Sequence, residues 1–566
     1  MSLLSISHLA YRLIIATAVV TFLFLCEAIA TQEFFKADDY YFLSRVSAAD
    51  FSWQETFWPV NTDRHFAFRP IGETAYFWLG YQLFGLEAFG FFQLSLLVQL
   101  ASGALAFRIA RQINLNRAVA VTVGLASASG MASMHIIWYG VGFSYLLAAF
   151  LAALSLTFFL DHLETPSRPR LGLSALAYAA SLTCHEACLA LPLVLFGFSL
   201  MERPGQIGRK HRLEHMRSIT PHLLIMILFV IYRFWIITPI IAEPGTYDFS
   251  LSPIRAALRL WNQIIYAAGG PTLFWVSAFF IGSLSAMIAL GRSDQREPLK
   301  AFLLPRLALI TVWILLMIGP SLTIMTPTAP RYSVHIEIPL CLMLGVLVQG
   351  AWQASLSRFR PAIEVAFMIF VLVSVPWQML VSMDNSEDKP FARNFIKLAR
   401  EQLLDSPVQS RIVLLHGAPG LASPMEMYRF HWTTYGGRPL VQAALPELDV
   451  RYGLINLEET PRPVFLSPES RYVLIQEGLS FSLPDEAYLI HHLIRPNLDP
   501  GRPRLFKAAS SKLVHLQGLE AIPLLRQVCA SQDSKRAEKR CLRWLARHFE
   551  EEALPQHREL IAALLD

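Results

Sequence analysis

Charged residues are scarce in this chain of 566 residues. Asp, Glu, Lys and Arg make up 16% of it, whereas an average soluble domain carries about 25%. This deficit excludes a disordered chain, a coiled coil and an ordinary cytosolic enzyme. The net charge is a mild +5, and no dense block of Lys and Arg marks a nucleic-acid interface. Nucleic acid is therefore discarded as a partner.

Cysteine is also sparse, and the six cysteines show no metal-binding spacing. Cys529 and Cys541 lie 12 residues apart on helical sequence. A disulfide between them is compatible with an oxidising compartment, but the spacing alone does not establish it. The other four lie in or beside apolar segments and are predicted to be small packing residues: Cys26, Cys184, Cys188 and Cys341.

Long apolar runs are what the chain has in abundance, with 54% hydrophobic residues and a mean hydropathy of +0.41. A spanning helix needs about 20 mostly apolar residues. The first run is not predicted to be a signal peptide, because Leu13–Ala30 is longer than a typical signal core. The pair 171–187 and 188–201 is short and would alternatively form one re-entrant hairpin. Eleven candidate spans are 9–30, 88–107, 118–134, 141–160, 171–187, 188–201, 218–241, 271–290, 307–325, 333–353 and 361–382.

The distribution of Lys and Arg among the loops predicts the orientation of these spans. With the N-terminus in the cytoplasm, the inner loops hold 16 Lys and Arg in 59 residues and the outer loops hold 7 in 105. This asymmetry follows the positive-inside rule. Losing one crossing would break the pattern, so the charges support the count as well as the direction. Residues 1–382 are therefore predicted to be a membrane domain, and the rest of the chain lies outside.

The tail, residues 383–566, has ordinary polarity and is predicted to be an extracytoplasmic soluble domain. It opens with the polar linker 384–390. Residues 411–416 and 471–476 are typical of short buried strands bounded by Gly or Pro. From 519 to 566 the apolar residues recur at helical spacing. The tail is thus predicted to be a small α/β domain closed by helices.

The first outer loop, residues 31–87, is far too long for a simple turn. It carries Asp38 and Asp39 directly after the first span. A carboxylate in a cavity beneath the aqueous face can have a raised pKa and act as a general base. Alternatively, the pair is a solvated turn or a helix N-cap at the interface.

Other polar residues fall on the same outer face. Arg69, in the same loop, could bind a lipid phosphate through two hydrogen bonds, or it could extend to the interface among belt aromatics. Each of the others taken alone fits a span end facing water, but together they bring imidazole, acid and guanidinium to one side. These are His135, His185, Glu186, Arg331 and Tyr332.

The loop 242–270 contains a further pattern. Its apolar residues recur at helical spacing, and its polar residues fall mostly elsewhere around the helix. This is typical of an amphipathic helix on the outer leaflet, which would suit a site that receives a lipid laterally. The alternative is a simple approach to the next span. The apolar positions are Ile254, Ala257, Leu258, Trp261, Ile264 and Ile265.

Several short segments occur along the chain in an order that is also found in a known family of membrane proteins. They are Asp38-Asp39-Tyr40, Phe68-Arg69-Pro70, Leu83-Phe84-Gly85, His135–Trp138, His185-Glu186, Leu191-Pro192-Leu193 and Arg331-Tyr332. In this order and topology the chain resembles the polytopic lipid-dependent glycosyltransferases of the C-type (GT-C) fold. The nearest likeness is to protein O-mannosyltransferases and transmembrane tetratricopeptide-repeat O-mannosyltransferases, without their repeats. It covers about 350 residues. The expected fold class is an all-α polytopic membrane domain of about eleven spans, followed by the small α/β domain.

The resemblance implies an enzyme that transfers a sugar from a polyprenyl-phosphate carrier, with inversion, to an acceptor on the outer face. By position, Asp38 or Asp39 would activate the acceptor hydroxyl. Arg331 is the first choice for the lipid phosphate and Arg69 the second. The other four outer-face residues would bind substrate.

The resemblance leaves the partners less defined than the reaction class. The lipid-linked sugar is the co-substrate, and membrane lipid surrounds it. The acceptor, whether a glycan, a lipid or a protein, stays open. Some members of the fold use a divalent metal, although no carboxylate cluster here demands one.

Three rival functions stay open. A transporter or flippase would carry its polar residues near the bilayer midplane on related halves, and a polysaccharide ligase would carry its catalytic loop late in the chain. A non-enzymatic scaffold would leave Asp38 and Asp39 without a role.

The most economical compartment is a bacterial inner membrane with the tail in the periplasm, although an endoplasmic-reticulum enzyme would have the same pattern.

Overall fold

The structure, a computed structural model, divides into two compact units, each described by itself. The first contains residues 1–35 and 50–388, and the second contains residues 36–49 and 389–566. The residues that the structure describes are 3–30, 35, 38–48, 51–53, 69–137, 139–201, 209–233, 253–267, 277, 280–285, 296–322, 330–355, 360–371, 391–403, 411–416, 421–422, 441, 445, 451–456, 470–476, 481–500, 502–531 and 534–551.

Helices dominate the described residues up to position 354. Of these, α2 belongs to the second unit and the others to the first. In chain order they are α1 (Leu3–Ala30), α2 (Asp38–Val46), α3 (Tyr76–Phe84), α4 (Ala88–Gln112), α5 (Arg117–Ala128), α6 (Met131–Ile137), α7 (Phe143–Glu164), α8 (Arg168–Cys184), α9 (Leu191–Met201), α10 (Arg209–Ile231), α11 (Pro253–Ala267), α12 (Arg296–Leu322) and α13 (Val334–Ala354).

Four helical stretches are long and apolar enough to cross a membrane, among the residues that the structure describes. They are Ala88–Gln112, Gly140–Glu164, Glu297–Gly319 and Arg331–Ala354. The polytopic helical class is confirmed, and the count of eleven spans stays a prediction.

Two of the predicted spans are interrupted. The segment 118–134 forms α5 and α6 with a break at Ser129 and Gly130. The predicted pair 171–187 and 188–201 is broken at His185, whose backbone is extended (φ −160°, ψ 133°). Chain breaks at the ends of apolar helices free polar backbone and place side chains where a site can form.

Small residues allow α4 and α5 to approach closely. A Cβ placed on Gly103 would lie 2.7 Å from the carbonyl oxygen of Gly124, so only glycine permits this contact. Membrane helices associate through such small-residue contacts because no hydrophobic force drives them together in lipid.

The amphipathic helix predicted in the loop 242–270 is α11. It packs against α6 and against the short 3₁₀ segment Pro330–Ser333. Ile254, Leu258 and Trp261, at helical spacing, are exposed. An exposed apolar stripe of this kind is suited to the apolar boundary of a bilayer.

The second unit contains a four-stranded sheet in the order β2-β1-β3-β4. The strands are β1 (Arg411–His416), β2 (Arg451–Asn456), β3 (Ser470–Ile475) and β4 (Phe481–Ser482). The first three are parallel, and β4 is antiparallel to β3. Strands β1 and β3 confirm the sequence prediction, since apolar runs are typical of strands buried on both faces. The other two were missed because β2 contains Gly453 and has a polar residue at each end, and β4 is only two residues long.

One helix, α14 (Phe391–Leu398), precedes the sheet. The helices that follow the sheet contribute to the hydrophobic core of this unit. They are α15 (Glu486–Leu489), α16 (Pro503–Gln517), α17 (Ile522–Ala530) and α18 (Lys535–Glu551). On α16, Lys512 is buried, and its Nζ donates to the carbonyl oxygen of Ser470 at 2.8 Å. Burial lowers the pKa of this amine to about 8, and the neighbouring Arg471 contributes in the same direction.

A disulfide joins Cys529 of α17 to Cys541 of α18. We expect that replacing both cysteines by serine destabilises the second unit by about 3 kcal/mol, because the crosslink closes a short loop of the unfolded chain. Limited proteolysis of the purified full-length protein across a temperature series measures this change, with Cys26→Ser as the control. Equal cleavage temperatures for the double variant and the wild type would contradict the expectation.

Candidate active site

Arg69 lies at the centre of a polar cluster in the first unit. It directly precedes the π-helical turn Pro70–Ala75, and proline at the first helical position fixes where that turn begins. The guanidinium is buried, and its Nη1 donates to Oε1 of Glu73 at 2.9 Å, one helical turn further on. Glu73 is itself buried, so this ion pair is desolvated on both sides.

The break after α8 brings a second carboxylate and an imidazole to Arg69. Arg69 Nε donates to Oε2 of Glu186 at 3.4 Å, and Nη2 donates to Oε1 at 3.3 Å. The same Nη2 lies 3.0 Å from Nε2 of His185. Because a guanidinium can only donate, that ring nitrogen accepts. Arg69 therefore holds Glu186 in a two-point contact, while the Glu186 side chain keeps 38% of its surface exposed.

Tyr145, near the start of α7, connects the two sides of the cluster. Its ring lies 5.1 Å from the Arg69 guanidinium carbon. The ring centroid is 4.2 Å from that of His185 and 6.0 Å from that of Tyr332. Tyr145 is buried, and its ring packs the residues around Arg69 against Tyr332 and His335.

Arg331 and His335 lie one helical turn apart where α13 begins. The His335 ring is 4.9 Å from that of His185. His335 is 6% exposed, and neither ring nitrogen has a hydrogen-bond partner among the described residues. Arg331 lies with its guanidinium carbon 5.5 Å from the Tyr332 ring centre, and its buried Nε likewise lacks a partner within the described ranges. Buried polar groups are normally satisfied, so these donors are suited to a ligand.

Glu337, two residues beyond His335, fixes helix α6. Its Oε1 accepts from the backbone N–H groups of Ala132 at 2.6 Å and Ser133 at 3.1 Å. Its Oε2 accepts from the hydroxyl of Ser133. A carboxylate at a helix N-terminus satisfies unpaired N–H groups and favours the helix dipole. The absence of a side chain at Gly130 leaves room for this carboxylate, which a Cβ there would strike.

The structure brings together five of the residues predicted from sequence. Arg69, His185 and Glu186 are in direct contact, and Tyr145 connects them to Tyr332, whose ring lies beside Arg331. The other three predicted residues lie elsewhere or are not described. His135 is in α6, but its side chain lies outside the described residues.

Asp38 and Asp39 begin α2, which the structure assigns to the second unit. The Asp39 side chain is buried, whereas that of Asp38 lies outside the described residues. Their role as base stays a prediction from sequence.

Sequence reasoning missed Glu73, Tyr145, His335 and Glu337. Spacing could have found two of them, because Glu73 follows Arg69 and His335 follows Arg331 by four residues, the distance of one helical turn. Glu337 is an acid inside a predicted span, which is by itself a signal of a specific role. No three His, Cys, Asp or Glu side chains come together as a metal site in the described part of the chain.

No family model and no curated protein matches this chain, but solved structures are similar to it. One is ArnT from Cupriavidus metallidurans bound to undecaprenyl phosphate, at 13% identity and TM-score 0.46, covering 82% of this chain and 92% of that one. Another is the arabinofuranosyltransferase AftD from Mycobacteria, at 16% and 0.43, covering 86% and 38%. A third is the oligosaccharyltransferase AglB from Archaeoglobus fulgidus with an inhibitory peptide and a dolichol-phosphate, at 12% and 0.42, covering 77% and 64%.

All three similarities have TM-scores below 0.5, so they are too weak to establish the fold. The resemblance to polytopic glycosyltransferases of the GT-C fold, and the closer likeness to O-mannosyltransferases, stay predictions. Identities this low carry no activity from one chain to another, so the reaction has to be inferred from the residues of this chain.

Proposed function

We propose that this protein is a membrane glycosyltransferase that moves a sugar from a polyprenyl-phosphate carrier to an acceptor hydroxyl on the outer face of the membrane. The observation that carries the proposal is the pair Arg331 and His335. Arg331 supplies a cation and His335 a buried imidazole, and the Arg331 Nε and both His335 ring nitrogens have no hydrogen-bond partner among the described residues. The His335 ring packs against that of His185, which contacts the same Arg69 that holds Glu186.

Arg331 suits the lipid phosphate better than Arg69 does. Arg69 already contacts two carboxylates, so its charge is balanced. No carboxylate of the described residues is paired with Arg331. When the bond from the sugar carbon to the phosphate oxygen breaks, negative charge grows on that oxygen, and a preorganised cation stabilises the charge. His335 can donate a second hydrogen bond to the same phosphate.

Glu186 suits the recognition of hydroxyl groups. A carboxylate accepts hydrogen bonds from sugar hydroxyls, and the two-point contact with Arg69 fixes its orientation. Arg69 and Glu73 are then positioning residues, because they act through Glu186 and His185 rather than on the substrate.

Asp38 and Asp39 are the candidate bases. The acceptor oxygen attacks the sugar carbon from the face opposite the phosphate, its proton passes to the carboxylate, and the carbon–phosphate-oxygen bond breaks. The configuration at the sugar carbon is inverted, and the lipid phosphate departs as an anion. The assignment depends on the order of the sequence segments.

The proposed location is a bacterial inner membrane with the second unit in the periplasm. The excess of Lys and Arg in the inner loops supports this orientation. A disulfide in the second unit also supports it, because disulfides persist in oxidising compartments. The exposed apolar stripe of α11 is suited to the outer leaflet, where the lipid donor would enter.

We expect that Asp38→Asn or Asp39→Asn abolishes sugar transfer, because the acceptor proton then has no base. General bases contribute about 100- to 10,000-fold to a rate. Transfer is measured in proteoliposomes with a panel of radiolabelled polyprenyl-phosphate sugars, and Asp499→Asn, an exposed surface carboxylate, is the control.

The outcomes separate the classes of function. Transfer by the wild type that one Asn variant loses names the base and the donor sugar. Full transfer by both Asn variants would refute the assignment of the base. Vectorial movement of the intact lipid-linked sugar, with no transfer, would instead indicate a flippase.

A further inference from the structure

The last described helix, α18, carries a continuous basic face. At 3.6 residues per turn, six Lys and Arg side chains fall within an arc of about 140° and extend over about 18 Å of the helix. All six are exposed. They are Lys535, Arg536, Lys539, Arg540, Arg543 and Arg547.

The opposite face of α18 is fixed in the core of the second unit. Leu545 and Phe549 are fully buried there, and Cys541 is crosslinked to α17. The basic face therefore has one orientation relative to its own unit, and the lone acid in its stretch, Glu538, falls outside the arc.

Within the described ranges, the six charges of the basic face have no acidic partner. Among the residues that the structure describes, no carboxylate forms an ion pair with any of the six. No large apolar side chain of the described α18 residues is exposed. Such a surface attracts anions without inserting into hydrocarbon.

We propose that the basic face of α18 docks the second unit onto anionic phospholipid headgroups of the bilayer that contains the first unit. Charge complementarity favours this partner, since each Lys or Arg near an anionic leaflet shifts the docked population by about fivefold. The covalent link to the membrane unit raises the effective concentration of the second unit at that surface. The proposal is independent of sugar transfer.

The test uses the full-length protein in vesicles of phosphatidylcholine with or without phosphatidylglycerol. An uncharged acetylating reagent modifies exposed lysines, and mass spectrometry measures the rate at each site. We expect Lys535 and Lys539 to react at least about fivefold more slowly in the anionic vesicles. High salt should remove the difference because it screens exposed charges. Lys507, exposed on α16, is the internal reference.

Two triple variants make the test specific. Arg540→Gln, Arg543→Gln and Arg547→Gln together should restore fast acetylation of Lys535 and Lys539 in anionic vesicles. The matched control removes three exposed arginines elsewhere in the unit, Arg495, Arg502 and Arg504, and should retain the protection.

Three results would overturn the proposal. The first is the same acetylation rate in both kinds of vesicle. The second is equal loss of protection in both triple variants. The third is protection that requires a soluble acidic polysaccharide rather than phosphatidylglycerol, which would identify a polymer as the partner.

Discussion

Replacing Arg331 by glutamine should lower kcat/KM for the lipid-linked donor by about 100- to 1,000-fold, the usual effect of removing one preorganised donor from a developing oxyanion. The reason is the position of this cation in the 3₁₀ segment directly before α13, with a buried Nε that no described residue binds. Arg331→Lys should recover part of the rate, since an ammonium keeps the charge but cannot form the planar two-point contact.

Kinetics can separate phosphate binding from a purely structural role for Arg331. If Arg331 stabilises the departing phosphate, kcat should fall more than KM rises. The affinity for free polyprenyl phosphate, the product of the reaction, should fall as well. His335→Phe, which keeps an aromatic side chain but removes both nitrogens, should weaken this product affinity by a smaller factor than Arg331→Gln does.

The control for Arg331 is Arg117→Gln, an exposed arginine at the start of α5. It should leave both the kinetics and the product affinity unchanged. Unchanged product affinity in Arg331→Gln would remove the phosphate role from this residue, and Arg69 would then have to be reconsidered as the phosphate ligand.

The sequence was informative about Arg331 because charge stands out against apolar spans. The loop charges predict the orientation of the spans, and this orientation places Arg69, His185, Glu186 and Arg331 on the outer face of the membrane. The structure groups all four in the first unit. Placing an ionisable side chain in a bilayer without a partner is costly. Such residues are therefore rare in apolar spans, and each one can be recognised from the sequence alone.

The sequence was less informative about which charges neutralise each other. Arg69 and Arg331 look alike as single residues, and only the fold shows that Glu73 and Glu186 both contact Arg69. Partners 117 residues apart in sequence, such as Arg69 and Glu186, depend on how the helices pack. Loop charges and apolar periodicity carry no such information.

The boundary of the membrane domain was predicted from composition and stays a prediction, because composition says little about short segments. The helix α2 closely follows the first predicted span, so its position in the sequence predicts that it belongs to the membrane domain. The structure instead groups residues 36–49 with the C-terminal residues. Nine helical residues contribute too little composition to reveal which core they join.

The largest expected effect on stability comes from Arg69→Met. This change removes the cation that contacts the buried carboxylate of Glu73 and the two-point contact that holds Glu186. Breaking a buried pair from one side costs about 3–5 kcal/mol, because the remaining charge stays desolvated. We expect a lower melting temperature of the purified protein in detergent, followed by tryptophan fluorescence.

A matched control is available in the same unit. Lys300 forms an ion pair with Glu297 at 2.8 Å, and both side chains are exposed. Lys300→Met also replaces the cation of an ion pair by methionine, but water can solvate the remaining carboxylate there, so the change should cost much less stability than Arg69→Met does. Equal destabilisation by the two variants would contradict the claim that burial makes Arg69 important.

The double variant Arg69→Met with Glu73→Gln tests the cause. If the uncompensated carboxylate of Glu73 is responsible, neutralising it should recover a large part of the lost stability, although it removes another native side chain. Transfer activity should stay low, because Glu186 still lacks the guanidinium that orients it. Recovery of stability without recovery of activity would separate the two tasks of Arg69, which are to neutralise Glu73 in the protein interior and to fix Glu186 at the edge of the site.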